Sequence, residues 1–135
     1  MPVLVDTNVL LDVIEDDPVW RAWSVQQLEA VSLADMVIVN GVVFAELSVA
    51  FDSIEEVEQV LAEIPAAIVE IPRAALFLAG KTYLSYRKRG GRKTGVLSDF
   101  FVGAHAAVAG IPLLTRDVGR YRTYFPTLDL IVPEG

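Results

Sequence analysis

The chain has 135 residues, 53% of them hydrophobic, with no cysteine and a formal net charge of −7. This length favours one compact domain with a substantial core, which we place at residues 1–135. The lack of cysteine excludes disulfides and thiolate metal sites, and no window approaches the roughly 20 apolar residues of a membrane span. The first residues do not form a secretory signal, so we expect a cytoplasmic protein.

In chain order, short apolar runs alternate with segments bounded by helix caps. The first half predicts a strand, two helices, a second strand and two further helices, at residues 2–5, 7–16, 18–33, 36–39, 41–50 and 54–63. Asp17 and Asn40 are the predicted N-caps of the second and third helices. Ser53 and Glu56 form the predicted capping box of the fourth helix.

The second half continues the alternation. It predicts a strand at 66–71, a long helix from residue 72 that ends in YRKRGGRK, a helix at 99–109, and strands at 112–115 and 128–132. Ser98 is the predicted cap of the later helix, and Gly110 ends it. Strands separated by helices predict an α/β fold of three layers, α/β/α, around a central, mostly parallel sheet of four to five strands.

Charge is distributed unevenly along the chain. Residues 1–72 carry one base, Arg21, whereas residues 87–122 carry eight bases and only two acids. Because a polyanion responds to the local field rather than to the net charge, the second half could bind phosphates. The alternative interpretation is a solvated basic face.

Four carboxylates are candidates for a site at the carboxyl edge of the sheet. Asp6 ends the first predicted strand and Asp117 follows the fourth, so both can reach this edge. Asp99 lies in the first turn of its helix. Each of these three has helix capping or the helix dipole as its alternative explanation. Glu46 lies in the otherwise apolar helix GVVFAELSVA, where an acid is rarely buried unless it is paired or bound to metal. An exposed salt bridge is the alternative explanation for Glu46.

A cluster of these acids would take up protons or bind cations. Two carboxylates 4 Å apart repel by about 4 kcal/mol at an effective dielectric of 20. Oxygen ligands without histidine or cysteine suit Mg²⁺ or Mn²⁺ rather than zinc, and such ions accept phosphate oxygens. The residues alone therefore predict a metal-binding α/β domain, and they leave open whether the four acids converge.

Four segments of the sequence resemble the PIN-domain family, and in particular the VapC-type toxin ribonucleases of type II toxin–antitoxin modules. The segments are VDTNVLLD, NGVVFAEL, LSDFFVGAHA and LLTRDVGRYRTYFP, at residues 5–12, 40–47, 97–106 and 113–126. A single DTN carries little weight, but all four segments in the order of the family are specific. The resemblance implies a PIN-like fold over the whole chain.

The resemblance also implies a role for each acid. Asp6 and Asp99 would be the main direct ligands of Mg²⁺ or Mn²⁺, with Glu46 and Asp117 binding directly or through water. Thr115 would be a catalytic residue that orients a water molecule. The implied activity is cleavage of RNA by water, leaving a 5′-phosphate and a 3′-hydroxyl.

Further residues and partners follow from the same resemblance. Thr7 and Asn8 are candidates for contacts that support the metal site. Arg116, Arg92 and Lys93 are our candidates for contacts with RNA phosphates. The implied partners are an RNA substrate, a cognate antitoxin that lies over the N-terminal helices, and a second copy of the chain in a homodimer.

His105 and two tryptophans invite functional interpretations that we weigh against structural ones. His105 lies six residues after Asp99, about 240° around the helix, so it faces away from that acid and is predicted to be structural. Trp20 and Trp23 share a predicted face with Gln27. This face is either ordinary core or part of the antitoxin surface that the resemblance implies.

Three alternatives remain open at this point. A phospho-receiver domain needs an aspartate after the third strand and a lysine after the fifth, where this chain has VEIPR and LIVPEG. A haloacid-dehalogenase-like phosphatase needs a second aspartate where Asn8 stands. A non-toxin PIN nuclease or an RNA-binding PIN module is the third, and DNA is an alternative substrate.

Overall fold

The computed structural model describes residues 1–93 and 95–134. Within these residues, five strands lie at Val3–Val5 (β1), Val37–Val39 (β2), Ala66–Ile68 (β3), Leu113–Leu114 (β4) and Leu130–Ile131 (β5). The helices there are Thr7–Ile14 (α1), Arg21–Ala34 (α2), Gly41–Ser48 (α3), Ile54–Glu63 (α4), Arg73–Lys88 (α5), Val96–Ala109 (α6) and Gly119–Tyr124 (α7). The predicted α/β fold is confirmed. None of these helices is long and apolar enough to cross a bilayer.

The sheet has the order β3-β2-β1-β4-β5, and each of these neighbouring pairs is parallel. Strands β1, β2 and β4 are buried along their whole length, as their unbroken apolar sequences predict. The strand order reverses between β1 and β4, which is where open parallel sheets form a crevice at their carboxyl edge. This order also differs from the 2-1-3-4-5 order of phospho-receiver domains.

Local signals place most of the helices. The Asn40 side chain accepts two backbone hydrogen bonds from the first turn of α3, and Ser53 accepts one from the backbone of Glu56 at 3.3 Å. The Glu56 side chain completes the box one residue early, on the N–H of Asp52. Gly110 ends α6 with a left-handed φ of 66°, a conformation that favours glycine.

Two predicted helix starts differ from the structure. Asp17 caps a separate turn before α2, so that this helix begins at Arg21 rather than at residue 18. The prediction that Ser98 caps α6 is wrong, because α6 begins at Val96 and has Gly95 as its N-cap. The Ser98 hydroxyl lies inside the first turn and donates to the carbonyl of Gly95 at 3.0 Å.

Helix α7 was not predicted, and it packs closely on α6. A Cβ at Gly103 of α6 would lie 2.6 Å from the Phe125 ring and 3.1 Å from the Tyr121 ring. The absence of a side chain at Gly103 therefore lets Tyr121 and Phe125 pack closely on α6. Tyr121 is fully buried, and its hydroxyl points to the carboxyl end of β1.

Candidate active site

Asp6 follows β1 directly, and its carboxylate is buried, with 4% of the residue exposed. One oxygen accepts the backbone N–H of Thr7 at 2.8 Å, which is the predicted capping bond for α1. The other accepts the hydroxyls of Thr115 at 2.9 Å and Tyr121 at 2.8 Å, and the amide of Asn8 at 3.4 Å. All four donors are neutral. Only the bond from Thr7 caps the helix, so capping accounts for one of the four hydrogen bonds of Asp6.

The chemical consequence is a perturbed carboxyl. The pKa of Asp6 is raised from 3.8 to about 6, mainly by burial and also by the negative charge of Asp99, and hydrogen bonds from the hydroxyls of Tyr121 and Thr115 limit the rise. Burial also raises the pKa of Tyr121 well above 10, helped by the nearby Asp6. A buried acid without a cationic neighbour favours either a proton or an external cation.

Glu46 of α3 is connected to two other elements. The Thr7 hydroxyl donates to Oε1 of Glu46 at 2.8 Å, and the Ser98 hydroxyl, whose proton points to the Gly95 carbonyl, lies 3.4 Å from Oε2. Thr7 thus binds Asp6 through its backbone and Glu46 through its side chain. This contact joins the acid after β1 to the acid on α3, as expected for a residue that supports the site.

The Thr115 hydroxyl follows β4 and has all three of its hydrogen-bonding positions filled. It donates to Asp6, and it accepts from the Asn8 amide at 3.1 Å and from the backbone N–H of Asp117 at 3.1 Å. A hydroxyl has one proton and two lone pairs. These contacts fix the position of the Thr115 hydroxyl beside the Asp6 carboxylate.

Asp99 faces the same region from the first turn of α6. It forms an ion pair with Nη1 of Arg120, and both side chains are about a quarter exposed. Burial raises the pKa of Asp99, the negative charges of Asp117 and Glu46 add to the rise, and Arg120 opposes it. Asp117 itself is exposed. Since Asp6 also interacts with Asp99, the four predicted acids share one electrostatic neighbourhood.

Interaction between the charges of the four acids does not by itself make them a metal site. Within residues 1–93 and 95–134, no three acidic or histidine side chains stand close enough together to hold one ion. The donor chemistry nevertheless fits Mg²⁺ or Mn²⁺, because the oxygens belong to carboxylates and hydroxyls. The acids that could hold such an ion are Asp6, Asp99, Glu46 and Asp117, and Arg120 is the cation that Asp99 contacts here.

Arg116, one of the candidates for a phosphate contact, forms an ion pair within the protein. Its Nε and Nη2 lie 2.8 Å from the two carboxylate oxygens of Asp12, which is 2% exposed and also accepts the Ser24 hydroxyl at 2.7 Å. The guanidinium lies 5.5 Å from the Trp20 ring centre. These contacts make Arg116 the structural partner of a buried acid, with one nitrogen left for other ligands.

Arg92 and Lys93 are exposed in the loop before α6. The backbone N–H of Lys93 donates to the Tyr86 hydroxyl at 3.2 Å, which holds the loop against α5. Because α6 starts three residues after Lys93 and carries Asp99 in its first turn, these bases lie close along the chain to the acidic site.

His105 is buried, and it connects two of the helices that carry acids. Its Nδ1 lies 3.0 Å from the amide nitrogen of Asn40. The Asn40 oxygen already accepts from the first turn of α3, so the amide donates and His105 Nδ1 accepts. Burial lowers the pKa of His105, which keeps the ring neutral. The predicted structural role of His105 agrees with this contact between α3 and α6.

Three residues of the region escaped the sequence analysis. Asp12 lies three residues after the buried Val9 on α1, so helical periodicity alone places an acid on the buried face. Arg120 and Tyr121 gave no such signal, because their partners lie 21 and 115 residues away in the chain.

Comparison with known proteins decides the family. The model of the PIN domain matches residues 3–126. The chain belongs to the PIN-domain family. No curated protein sequence matches this PIN domain significantly.

Solved structures agree with this assignment at the level of the fold. A chain of VapBC2 from Rickettsia felis, bound to a promoter DNA fragment, has a TM-score of 0.75 at 18% identity and covers 99% of this PIN domain and 100% of itself. A chain of VapBC-1 from nontypeable Haemophilus influenzae has a TM-score of 0.70 at 15% identity over 98% of both chains. FitAcB from Neisseria gonorrhoeae has a TM-score of 0.65 at 21% identity over 95% of both chains.

Proposed function

We propose that this PIN domain is a Mg²⁺- or Mn²⁺-dependent endoribonuclease and the toxin of a toxin–antitoxin pair. The observation that carries the proposal is the environment of Asp6. This carboxyl is buried at the point where the strand order reverses, is bonded to neutral donors, and interacts with the charge of a second aspartate, Asp99. Such a site needs a cation, and a phosphodiester substrate brings its negative charge to that cation.

Each residue near the carboxyl edge has a role in this proposal. Asp6 and Asp99 hold the ion, with Glu46 and Asp117 binding directly or through water. When bound, the ion supplies Lewis-acid activation of water and neutralises charge on the phosphate. Because water is the nucleophile, no side chain forms a covalent bond, and the expected products carry a 5′-phosphate and a 3′-hydroxyl.

The neutral side chains around Asp6 keep its carboxylate in one orientation. Thr115 and Tyr121 donate to the same oxygen, and Asn8 donates to Thr115 and accepts from the backbone of Arg116. Fixed ligands reduce the reorganisation that a reaction has to overcome. We expect the loss of any one donor to slow cleavage less than the loss of Asp6 itself.

RNA is the proposed substrate, and the loop before α6 is its proposed contact. Arg92 and Lys93 are exposed there, and the Arg89 guanidinium lies 5.5 Å from the ring centre of Tyr124 on α7. Arg89 thus lies next to α7, the helix whose Arg120 and Tyr121 contact Asp99 and Asp6. Basic side chains next to a metal site favour a backbone that carries one negative charge per nucleotide.

The test is cleavage of a structured RNA by the purified chain with Mg²⁺ or Mn²⁺, with EDTA as the negative condition. Asp6→Asn and Asp99→Asn are expected to abolish cleavage. Asp129→Asn is the matched control, because Asp129 is exposed beside β5 at the opposite edge of the sheet. Cleavage without metal, or in both active-site variants, contradicts the proposal. RNA binding without cleavage would favour an RNA-binding module, and preferential cleavage of DNA would reassign the substrate.

The proposed protein partner is an antitoxin, since the structural neighbours include chains described as toxin–antitoxin complexes. Its proposed binding site is a groove of about 810 Å³ whose walls come from α1, α2, α4 and Phe51. Leu33, at 90% exposure, lies on the rim of this groove. An apolar groove of this size is typical of a surface that receives a partner helix.

A binding measurement with the product of the neighbouring gene tests the antitoxin proposal. Leu33→Glu is expected to weaken the complex at least about tenfold, because it places a charge in an apolar interface. Val49→Glu, at a residue that is 88% exposed outside this groove, is the matched control. Equal affinities for wild type and Leu33→Glu would contradict the proposed site.

The homodimer is proposed to form through α5. Phe77 is 68% exposed and Leu84 is 45% exposed, and they lie on one helical face with Gly80 between them. A second copy would cover these apolar side chains. Phe77→Glu is expected to shift the chain from dimer to monomer in light scattering, and an unchanged dimer would contradict this interface.

A further inference from the structure

Helix α7 presents consecutive side chains to the two aspartates that we propose as the main metal ligands. Tyr121 donates its hydroxyl to Asp6 at 2.8 Å, and Arg120 forms an ion pair with Asp99. We propose that Arg120 is a tethered competitor of the divalent ion, which has to displace its guanidinium from Asp99 in order to bind. This inference rests on the metal-dependent nuclease function proposed above.

Both cations would use the same carboxylate. Nη1 of Arg120 contacts Oδ2 of Asp99, the acid that interacts with the charges of Asp6, Glu46 and Asp117. A guanidinium at this position neutralises part of the acidic field that attracts an ion. It also repels a divalent ion that approaches the same oxygen. Occupation of Asp99 by one cation therefore weakens the binding of the other.

A second ion pair in the same molecule shows why the Arg120 contact can open. Arg116 donates from two nitrogens to Asp12, which is 2% exposed, and its guanidinium lies 5.5 Å from the centre of the Trp20 ring. Arg120 binds Asp99 through one nitrogen, and these two side chains are 26% and 25% exposed. Water reaches the Arg120 pair, so separating it costs much less than separating a buried, bidentate pair.

The displaced guanidinium cannot go far. Tyr121 is fully buried and anchors α7, so only the side chain of Arg120 has to move. A tethered competitor keeps a high effective concentration beside its site. If Arg120 held Asp99 in nine of ten molecules, the apparent metal affinity would be about tenfold below the intrinsic one.

Calorimetric titration of the full chain with Mn²⁺ tests the competition. Arg120→Gln is expected to bind Mn²⁺ about tenfold more tightly than wild type. Arg122→Gln is the matched control, because Arg122 is exposed on the same helix and its replacement removes the same charge. We expect the control to stay within about twofold of wild type, since solvent and salt screen an exposed charge. Unchanged affinity in Arg120→Gln, or equal tightening in both variants, overturns the inference.

Thermal unfolding gives a second readout that does not depend on cleavage. In EDTA, Arg120→Gln is expected to unfold at a lower temperature than wild type, because Asp99 has lost its cation. With Mn²⁺ it should gain more stability than wild type, since tighter binding stabilises the folded state further. Arg120→Lys keeps a cation and is expected to fall between the two. If Mn²⁺ raises the unfolding temperature of both variants by less than it raises that of wild type, the inference is overturned.

The two proposals fail in distinguishable ways. If the wild-type chain does not bind Mn²⁺, or binds it as well after Asp6→Asn, the metal site itself is refuted. If the wild type binds Mn²⁺ through Asp6 but Arg120→Gln changes nothing, only the competition is refuted.

Discussion

Asp6 caps the start of α1 and Asp12 lies within the same helix, and both are almost completely buried. The single guanidinium of Arg116 donates to both oxygens of Asp12, and the Ser24 hydroxyl donates to one of them. Asp6 has three neutral donors within 2.9 Å and a second acid nearby. Arg116 therefore supplies Asp12 with a cation, whereas residues 1–93 and 95–134 supply Asp6 with neutral donors only.

The difference separates a structural acid from a functional one. A buried carboxylate with an internal cation is a completed ion pair, and its removal affects mainly folding. A buried carboxylate with neutral donors is destabilised at neutral pH, and such a cost is typical of a site that binds something. Substitution of Asp6 should thus affect mainly the cleavage activity, and substitution of Asp12 should affect mainly the stability of the fold.

The largest effect is expected on activity. Asp6→Asn should lower the rate of RNA cleavage by about 10³-fold, because a lost metal contact removes several kcal/mol of transition-state stabilisation. Asp12→Asn should retain cleavage well above that level in the fraction that is folded. Initial rates normalised to folded protein measure both. Comparable losses in the two variants would contradict the division of roles.

The next effect concerns the ion pair of Asp12. Arg116→Met is expected to lower the free energy of unfolding by about 3 kcal/mol, because it leaves Asp12 buried without a cation. Adding Asp12→Asn to Arg116→Met should restore part of this loss. Urea denaturation measures the effect, with Arg122→Met as the control for an exposed arginine. A double variant no more stable than Arg116→Met would show that the charge of Asp12 is not the cause.

The buried carboxyl of Asp6 also affects the stability of the fold. Here, removal of the negative charge is expected to stabilise the protein at high pH. Since its pKa in the folded chain is about 6 rather than 3.8, the folded state binds the proton more tightly than the unfolded state. Stability is then lost as the pH rises from about 4 to above 6, by about 3 kcal/mol for a shift of two pKa units. In EDTA, Asp6→Asn should unfold at a higher temperature than wild type at pH 8 and match it near pH 4. Parallel pH profiles would contradict the raised pKa.

His105 should show a smaller effect in an overlapping pH range. Burial lowers its pKa below 6.5, so the folded state resists protonation, and its contribution to stability is lost as the pH falls through 6.5. Protonation would also place a second donor opposite the Asn40 amide. His105→Gln keeps an acceptor and is expected to cost about 1 kcal/mol at pH 7.5 and to reduce the acid-dependent loss. An unchanged pH slope in this variant would argue that another group titrates.

The smallest effect is expected in the basic loop. Arg92→Gln and Lys93→Gln should each weaken RNA binding a few-fold and reduce the slope of log affinity against log salt by about one. Neither should change the affinity for Mn²⁺. Filter binding in Ca²⁺ at several salt concentrations measures this. A salt slope equal to that of wild type would place the RNA elsewhere.

Much of the fold could be predicted because its signals are local. Apolar runs marked the strands, and Asn40, Ser53 and Gly110 marked helix ends that the structure contains. Helix α7 was missed because it begins without a side-chain cap, and its position depends on the contact of Tyr121 with α6. The prediction that Ser98 caps α6 was wrong because a serine in the first turn of a helix gives the same sequence signal as a serine at the N-cap.

The candidate acids also come from local signals. The strand ends nominate Asp6 and Asp117, and the apolar surroundings of Glu46 nominate that residue. The sequence did not reveal which acids have internal cations, since Arg116 and Arg120 find their partners only through tertiary contacts. The proposed function depends on this difference between acids that have an internal cation and acids that lack one among the described residues.

The most direct test of the central claim is a crystal structure of the chain grown with Mn²⁺, with the ion located by its anomalous signal. The account predicts a peak bound to carboxylate oxygens of both Asp6 and Asp99, with the Arg120 guanidinium moved away and the Asp12–Arg116 pair unchanged. A peak that touches neither aspartate, at a Mn²⁺ concentration that supports cleavage, would contradict it.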